Sequence, residues 1–135
     1  MASDHFSSSL SEQTIEEVES ALPASTEHGA DLRFRGVVRD REDGRLIRGI
    51  DYSHYPGMAE RELEKIGAEM RAEFPGHLAF VHHRTGFVAA GEPSILIRVQ
   101  TPHSAEAYEI SREYLRRIKT TVPIWKRPVF TGEAT

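Results

Sequence analysis

The chain has 135 residues, a formal net charge of -4 and no cysteine. A chain of this length forms one domain and is able to bury a hydrophobic core without disulfide bonds. The lack of cysteine excludes a disulfide framework, a thiolate metal site and a cysteine nucleophile. No apolar run approaches the ~18–20 residues that a membrane-spanning helix needs, and a pI near 6.0 argues against nucleic acid as a partner. The polar N-terminus does not resemble a signal peptide, so we expect a cytoplasmic protein.

The N-terminal segment is acidic. Between Met1 and Asp31 there are seven acids and no lysine or arginine. Residues 1–9 are serine-rich, and we expect them to be frayed. Ser9 precedes Glu12 by three residues, and this capping-box pattern predicts the start of a helix that Pro23 ends. The acids are typical of a solvated helix face; the alternative is that they mask a basic patch elsewhere.

A hairpin of two strands is predicted next. Apolar and polar residues alternate over residues 30–38, the period of a half-buried strand, and Gly36 within this run indicates a bulge. Asp43-Gly44 is a favoured hairpin dipeptide, and a second strand is expected from Leu46 to about Tyr52. Arg39 then lies at the exit of the first strand, where its side chain is able to reach a pocket.

Helical periodicity returns after this hairpin. A helix that begins near Pro56 presents one apolar stripe and stops at Pro75-Gly76. Strands are predicted over residues 78–83 and 94–101, and a further short strand lies within residues 85–91.

A last helix follows Pro102. Its predicted buried stripe comprises Ala107, Tyr108, Ser111, Leu115 and Ile118. The resulting order of elements is α-β-β-α-β-β-β-α-β. This order predicts a single α+β domain over residues 1–135 with a mostly antiparallel sheet.

The end of the last helix is basic and is broken by a proline. Pro123 ends the helix near Thr120 and favours an extended segment over residues 124–127. Between residues 112 and 127 a single acid stands among six basic residues, namely Arg112, Arg116, Arg117, Lys119, Lys126 and Arg127. Crowded cations disfavour each other's charge, which makes an amine a usable acid, base or nucleophile, and they attract anionic substrates.

The sequence lacks the residue patterns of metal sites, of serine nucleophiles and of phosphate-binding loops. His82-His83 suggests a metal pair, but adjacent strand residues point to opposite faces, so we expect one packed and one exposed imidazole and no metal site. No HExxH, Gly-x-Ser-x-Gly or Walker motif is present. Trp125 is interpreted as a core residue, and the alternative is a platform for a ligand.

Five segments, in order over residues 29–127, carry a family resemblance. They are Gly29–Asp40, Tyr52–Met58, His83–Gly86 with Gly91-Glu92, Thr101–His103 and Lys119–Arg127. The block Lys119-Thr-Thr-Val-Pro-Ile-Trp-Lys126 is the most specific of them. In these segments the chain resembles the large, catalytic subunit of molybdopterin synthase, the MoaE family.

The resemblance implies an α/β hammerhead fold, a homodimer, and a heterotetramer with a small ubiquitin-like subunit that carries sulfur as a C-terminal Gly-Gly thiocarboxylate. The family is a sulfurtransferase of molybdenum cofactor biosynthesis: it converts cyclic pyranopterin monophosphate into the dithiolene molybdopterin, and its large subunit needs no metal or other cofactor. By resemblance Lys119 and Lys126 are catalytic and line the pocket that receives the carrier's tail. Arg39 and His103 hold the pterin and its phosphate.

The chain departs from the family pattern near these residues. Ser104 stands at a substrate-binding position where the family usually has an arginine, and Pro128 stands where it usually has an acid. A phosphate-binding cation is therefore missing, so either Arg112 or Arg127 compensates in binding substrate or the activity is weakened. The alternative function is a non-catalytic relative that only binds a ubiquitin-like carrier.

Overall fold

A computed structural model describes residues 2–132. Three helices are present in this range, and they are α1 (Ile15–Ser20), α2 (Met58–Glu73) and α3 (Ser104–Thr121). The strands are β1 (His5–Ser11), β2 (Ala30–Val37), β3 (Arg41–Glu42), β4 (Arg45–His54), β5 (Leu78–Arg84), β6 (Gly86–Ala89), β7 (Pro93–Thr101) and β8 (Ile124–Phe130). None of the helices in this range is long and apolar enough to cross a membrane.

The larger sheet has the strand order β1-β5-β7-β2. β1 runs parallel to β5, and the other pairs are antiparallel. Helices α2 and α3 pack on one face, whereas α1 contacts β5 and β7. Every residue of β7 is buried, which is typical of a central strand covered on both faces. The main core forms between this sheet and α2 and α3, and it includes Phe6, Leu63, Met70, Ile97 and Tyr114.

The smaller sheet is built around β4. β4 pairs with β3, β6 and β8, always in the antiparallel direction. Cross-strand neighbours share a face, so Val88, Ile50 and Pro128 lie side by side on the inner face. Val38, Ile47, Ile50 and Val88 form a second, smaller core. The predicted α+β class and the mostly antiparallel pairing are therefore confirmed.

The predicted fraying of residues 1–9 is wrong for residues 5–9. These residues form most of β1, which pairs with β5 from His5↔Leu78 to Ser11↔Arg84. Phe6 is 5% exposed and stacks on Tyr114 of α3. The serine-rich run therefore folds as an edge strand, because one aromatic residue fixes it to the core.

The predicted cap at Ser9 is wrong, and the helix begins five residues later. Thr14 is the N-cap of α1 and forms a reciprocal capping box with Glu17. Ser9 instead shares a 2.7 Å hydrogen bond with Nδ1 of His82 on β5. Two Ser/Thr-x-x-Glu patterns compete in this stretch, and the long-range partner of Ser9 decides between them.

The predicted buried stripe of α3 is wrong at Tyr108. This residue is 65% exposed, while Ile110 and Tyr114 are 2% and 0% exposed. The hydroxyl of Tyr114 lies 2.7 Å from Nε2 of His77, so a polar group in the core fixes the phase of the helix. The predicted bulge is confirmed, since the register shifts after Gly36, and positive φ values at Asp43 and Gly44 form the predicted turn. The predicted hairpin between the strands on either side is wrong, because β2 pairs with β7 in the larger sheet and the turn joins only the short β3 to β4.

Candidate functional site

A pocket of about 460 Å³ lies where the C-terminal end of α3 meets both sheets. Its apolar walls are Phe34, Ile95, Leu115, Ile118, Val122 and Ile124. Its polar groups are Tyr52, His83, Ser94, Lys119 and Lys126. A concave site with apolar walls and a few polar groups is typical of a small-molecule site.

The two lysines reach this pocket from different elements. Lys119 lies in the last turn of α3, where the helix dipole favours a cation. The Val122 N–H donates to the carbonyl of Ile118, and Pro123 prevents a further turn. The chain then enters β8, where Lys126 pairs with Tyr52 of β4. The proline break therefore brings Lys126 to the pocket that Lys119 also lines.

Arg116 and Arg117, near the end of α3, are paired with acidic side chains. Arg117 donates to both carboxylate oxygens of Glu73 at 2.8 and 2.9 Å and to Glu113 at 2.8 Å. Arg116 pairs with Glu113, and these arginines hold the pKa of Glu113 at about 2. Within residues 2–132, neither Lys119 nor Lys126 has an ion pair. The cationic side chains that line the pocket are therefore Lys119 and Lys126.

The acids of the N-terminal segment pair with arginines of β2 and β7. Glu19 of α1 accepts hydrogen bonds from Arg33 and Arg35 of β2, and Glu16 lies 3.6 Å from Arg35. Asp31 accepts two 3.0 Å hydrogen bonds from the buried Arg98 of β7. The alternative that these acids mask the basic end of α3 is therefore not seen in the structure.

His83 and Tyr52 form the floor of the pocket. The rings of the two residues meet edge to face with centroids 4.9 Å apart. Nδ1 of His83 lies 2.8 Å from the carbonyl oxygen of Arg84, and burial lowers the pKa of His83 to about 4. The Tyr52 hydroxyl donates to Ser94 at 3.3 Å. The expectation that one imidazole of the pair His82-His83 is exposed is wrong, because His82 is fully buried and His83 lines the pocket.

The segment that contains His83 is held by an ion pair. Nη1 of Arg84 lies 3.1 Å from Oε1 of Glu92, which joins the end of β5 to the turn before β7. The Glu92 N–H donates to Ala89, and Gly91 adopts a φ of 90° within the turn. Arg84, Gly91 and Glu92 belong to the segments that carry the family resemblance. Their role in holding the end of β5 to the turn before β7 was not predicted from the sequence.

The other predicted substrate-binding residues lie outside this pocket. Arg39 is exposed in the loop between β2 and β3. His103 is the N-cap residue of α3, and the exposed Ser104 follows it. With a rise of 1.5 Å per residue, Ser104 and Lys119 lie about 22 Å apart along the helix. Arg127 points to the outer face of β8, 3.7 Å from Asp51.

The expectation that Trp125 belongs to the core is wrong. Its side chain is 54% exposed, because alternation along β8 turns it away from the pocket that Lys126 lines. Sequence reasoning also missed His83, Tyr52 and Ser94 as pocket residues. The available signal was their position: Tyr52 and His83 each begin one of the segments that carry the family resemblance.

Comparison with known proteins identifies the family. The sequence pattern of the family described as "MoaE protein" matches residues 8–121. The chain belongs to the MoaE family. It is 37% identical over 116 residues to the molybdopterin synthase catalytic subunit of Taeniopygia guttata, and 38% identical over 104 residues to that of Bacillus subtilis. These alignments cover 84% and 77% of this chain, and 74% and 66% of the two relatives.

Solved MoaE structures share the fold. The crystal structure of molybdopterin synthase from Staphylococcus aureus aligns with a TM-score of 0.78 at 32% identity, covering 90% of this chain and 87% of that chain. The MoaE protein of Burkholderia ambifaria aligns with a TM-score of 0.75 at 26% identity, covering 100% and 93%. The resemblance drawn from the five segments is therefore confirmed, and the MoaE relatives support an enzyme rather than a non-catalytic binder.

Proposed function

We propose that this chain is the catalytic subunit of a cytoplasmic molybdopterin synthase. It transfers sulfur from a thiocarboxylated ubiquitin-like carrier to cyclic pyranopterin monophosphate. The observation that carries this proposal is the convergence of Lys119 and Lys126 on one pocket in a chain of the MoaE family. The two ammonium groups have no carboxylate partner among residues 2–132, so they are available to an anionic ligand.

The pocket suits the chemistry of this transfer. On the carrier, the bond between the acyl carbon and sulfur breaks, and water supplies the oxygen that restores the carboxylate. On the pyranopterin, a carbon–sulfur bond replaces a carbon–oxygen bond, and the displaced oxygen leaves as water or stays on the phosphate. These steps need proton transfers and stabilisation of negative charge. In this proposal Lys119 donates the proton, because the helix end fixes its position, and Lys126 orients the acyl group and balances its charge.

The substrate-binding residues outside the pocket require a second copy of the chain. His103 and Ser104 lie a full helix length from Lys119, so they do not reach a ligand held by Lys119 of the same protomer. We therefore propose a homodimer in which one protomer supplies the two lysines and its partner supplies the α3 N-terminus. Arg39 and Arg127 are also proposed to bind substrate from exposed positions.

Single-turnover sulfur transfer tests the proposed function. The protein is mixed with thiocarboxylated carrier and pyranopterin, and the rate of product formation is measured for each variant. Lys119→Ala should lower the rate on the order of 10²–10⁴-fold, as expected for the loss of a proton donor. Lys126→Ala should cost roughly 10–100-fold, as expected for the loss of a charge-assisted contact.

Lys65 provides the matched control, since it is the remaining one of the three lysines of the chain and lies exposed on α2. Lys65→Ala should transfer sulfur at the wild-type rate. If Lys119→Ala also reaches that rate, the catalytic assignment is wrong. If the wild type binds the carrier but never transfers sulfur, the non-catalytic alternative is the better account.

A further inference from the structure

His83 is held in a single orientation on the floor of the pocket. Nδ1 lies 2.8 Å from the carbonyl oxygen of Arg84. A carbonyl only accepts hydrogen bonds, so Nδ1 carries the proton and Nε2 presents its lone pair. The edge-to-face contact with Tyr52 fixes the plane of the ring. Nε2 has no hydrogen-bond partner within residues 2–132, whereas both ring nitrogens of the adjacent His82 are bonded.

The pocket therefore presents two different recognition elements. The exposed ammonium groups of Lys119 and Lys126 offer donors and positive charge to an anion, and the less exposed Nε2 of His83 offers a neutral acceptor. Between them lie apolar walls such as Phe34 and Leu115. A ligand that satisfies all three elements combines an anionic group, a flat apolar body and a ring N–H or O–H. A Gly-Gly tail has no side chain to cover the walls, so the observations favour the heterocyclic substrate.

We infer that His83 is a substrate-binding residue whose Nε2 accepts a hydrogen bond from a ring N–H or O–H of the pyranopterin. This inference rests on the proposed function and adds to it the residue that selects the heterocycle. The two lysines recognise charge, which the carrier's thiocarboxylate and the substrate phosphate share. The backbone N–H groups of a Gly-Gly tail are donors too, but only the heterocycle combines a donor with a flat body that covers the apolar walls beside His83.

Two substitutions test the roles of the two ring nitrogens of His83 separately. His83→Asn keeps a donor near the Nδ1 position for the Arg84 carbonyl but removes the acceptor at Nε2. His83→Gln places an amide oxygen near the Nε2 position. The expected result is that His83→Asn weakens the Kd for pyranopterin roughly five- to tenfold, the value of one hydrogen bond. His83→Gln should stay within about twofold of the wild type, and the Kd for the carrier should be unchanged in both variants.

His82→Asn is the matched control for the same strand. His82 is fully buried and lies on the opposite face of β5. This substitution should lower Tm and leave the pyranopterin Kd unchanged. Equal pyranopterin affinity of His83→Asn and wild type overturns the inference. So does a parallel weakening of carrier binding, because it shows a general disturbance of the pocket.

A measurement on the wild type covers the case in which a variant fails to fold. With ¹⁵N-labelled histidine, the Nε2 resonance of His83 should shift on saturation with pyranopterin and stay unchanged with carrier alone. An unchanged Nε2 resonance in the pyranopterin complex overturns the role of His83 and leaves the proposed function standing. If the wild type binds no pyranopterin at all, both proposals fail.

Discussion

His83 also makes the folded protein sensitive to mild acid. Burial lowers its pKa from 6.5 to about 4, and burial likewise lowers the pKa of His77 in the main core. Because the folded-state pKa lies below the unfolded value, the unfolded chain takes up these protons first as the pH falls. The stabilisation is complete above about pH 6.5 and is lost as the pH falls toward 4. For His83 the loss amounts to at most about 3 kcal/mol.

The test is urea unfolding of wild type and His83→Asn at several pH values between 7.5 and 4.5. The free energy of unfolding of the variant should fall less steeply over this range, because it lacks one of the two imidazoles whose pKa is lowered by burial. Asp31 changes the free energy of unfolding little over this pH range. Its hydrogen bond with Arg98 holds its pKa at about 2, so its contribution to stability is lost only below about pH 4. Parallel curves for the two proteins would contradict the assignment of a buried, neutral His83.

β1 packs closely against α2 at Gly67. A Cβ built at Gly67 of α2 would lie 2.3 Å from the ring of Phe6 on β1. Gly67→Ala should therefore destabilise the fold by about 1–3 kcal/mol through overpacking, although alanine favours the helix by about 1 kcal/mol. Urea unfolding measures this change.

A double-mutant cycle separates the steric clash from other effects of the substitution. Combining Gly67→Ala with Phe6→Leu should cost less than the sum of the two single substitutions, because the smaller side chain leaves room for the added methyl group. Strict additivity would show that Phe6 and Gly67 are not in contact in solution, and that β1 is not packed as described.

Elements with regular periodicity were predictable from the sequence, and those that depend on distant partners were not. The alternation in β2, the turn at Asp43-Gly44 and the break at Pro123 are local properties of the chain. β1 was missed because its serines give no apolar alternation, and Phe6 is its only buried residue. The phase of α3 was missed because Tyr114 is buried by its hydroxyl contact with His77, which only the tertiary structure brings within reach.

The candidate site shows the same division. Lys119 and Lys126 were predicted from a local proline break between two cations, and the structure places them in one pocket. The larger cationic patch was an overestimate, because Glu73 reaches Arg117 from α2, 44 residues earlier in the chain. His83 carried no local sign of its role, since its orientation depends on Tyr52 of another sheet.

At the scale of the whole molecule, the length of α3 predicts that each proposed site is shared between two protomers. Lys119→Ala and His103→Ala homodimers should each be impaired in sulfur transfer. When the two chains are mixed by co-expression, the mixed dimer pairs an intact α3 N-terminus with an intact lysine pocket. Half of the random dimers are mixed and each has one intact site, so about a quarter of wild-type activity should return.

Co-expression of Lys119→Ala with wild type, and of His103→Ala with wild type, calibrates this measurement. If the mixture of the two variants shows no more activity than either variant alone, the two residues belong to the same site in one protomer, or His103 has no part in catalysis. Sedimentation at micromolar concentration provides the independent check, because a monomer would contradict the shared site directly.

The exposure of Trp125 gives the protein an internal optical probe. The chain contains a single tryptophan, so its emission comes from one known position on β8. The indole lies on the outer face of this strand, and the next residue, Lys126, lines the pocket on the inner face. A carrier protein that covers the outer face would shift the emission to shorter wavelength, while a small ligand in the pocket would leave the indole in water. Fluorescence without any label therefore reports on a partner that covers the outer face of β8, separately from a ligand in the pocket.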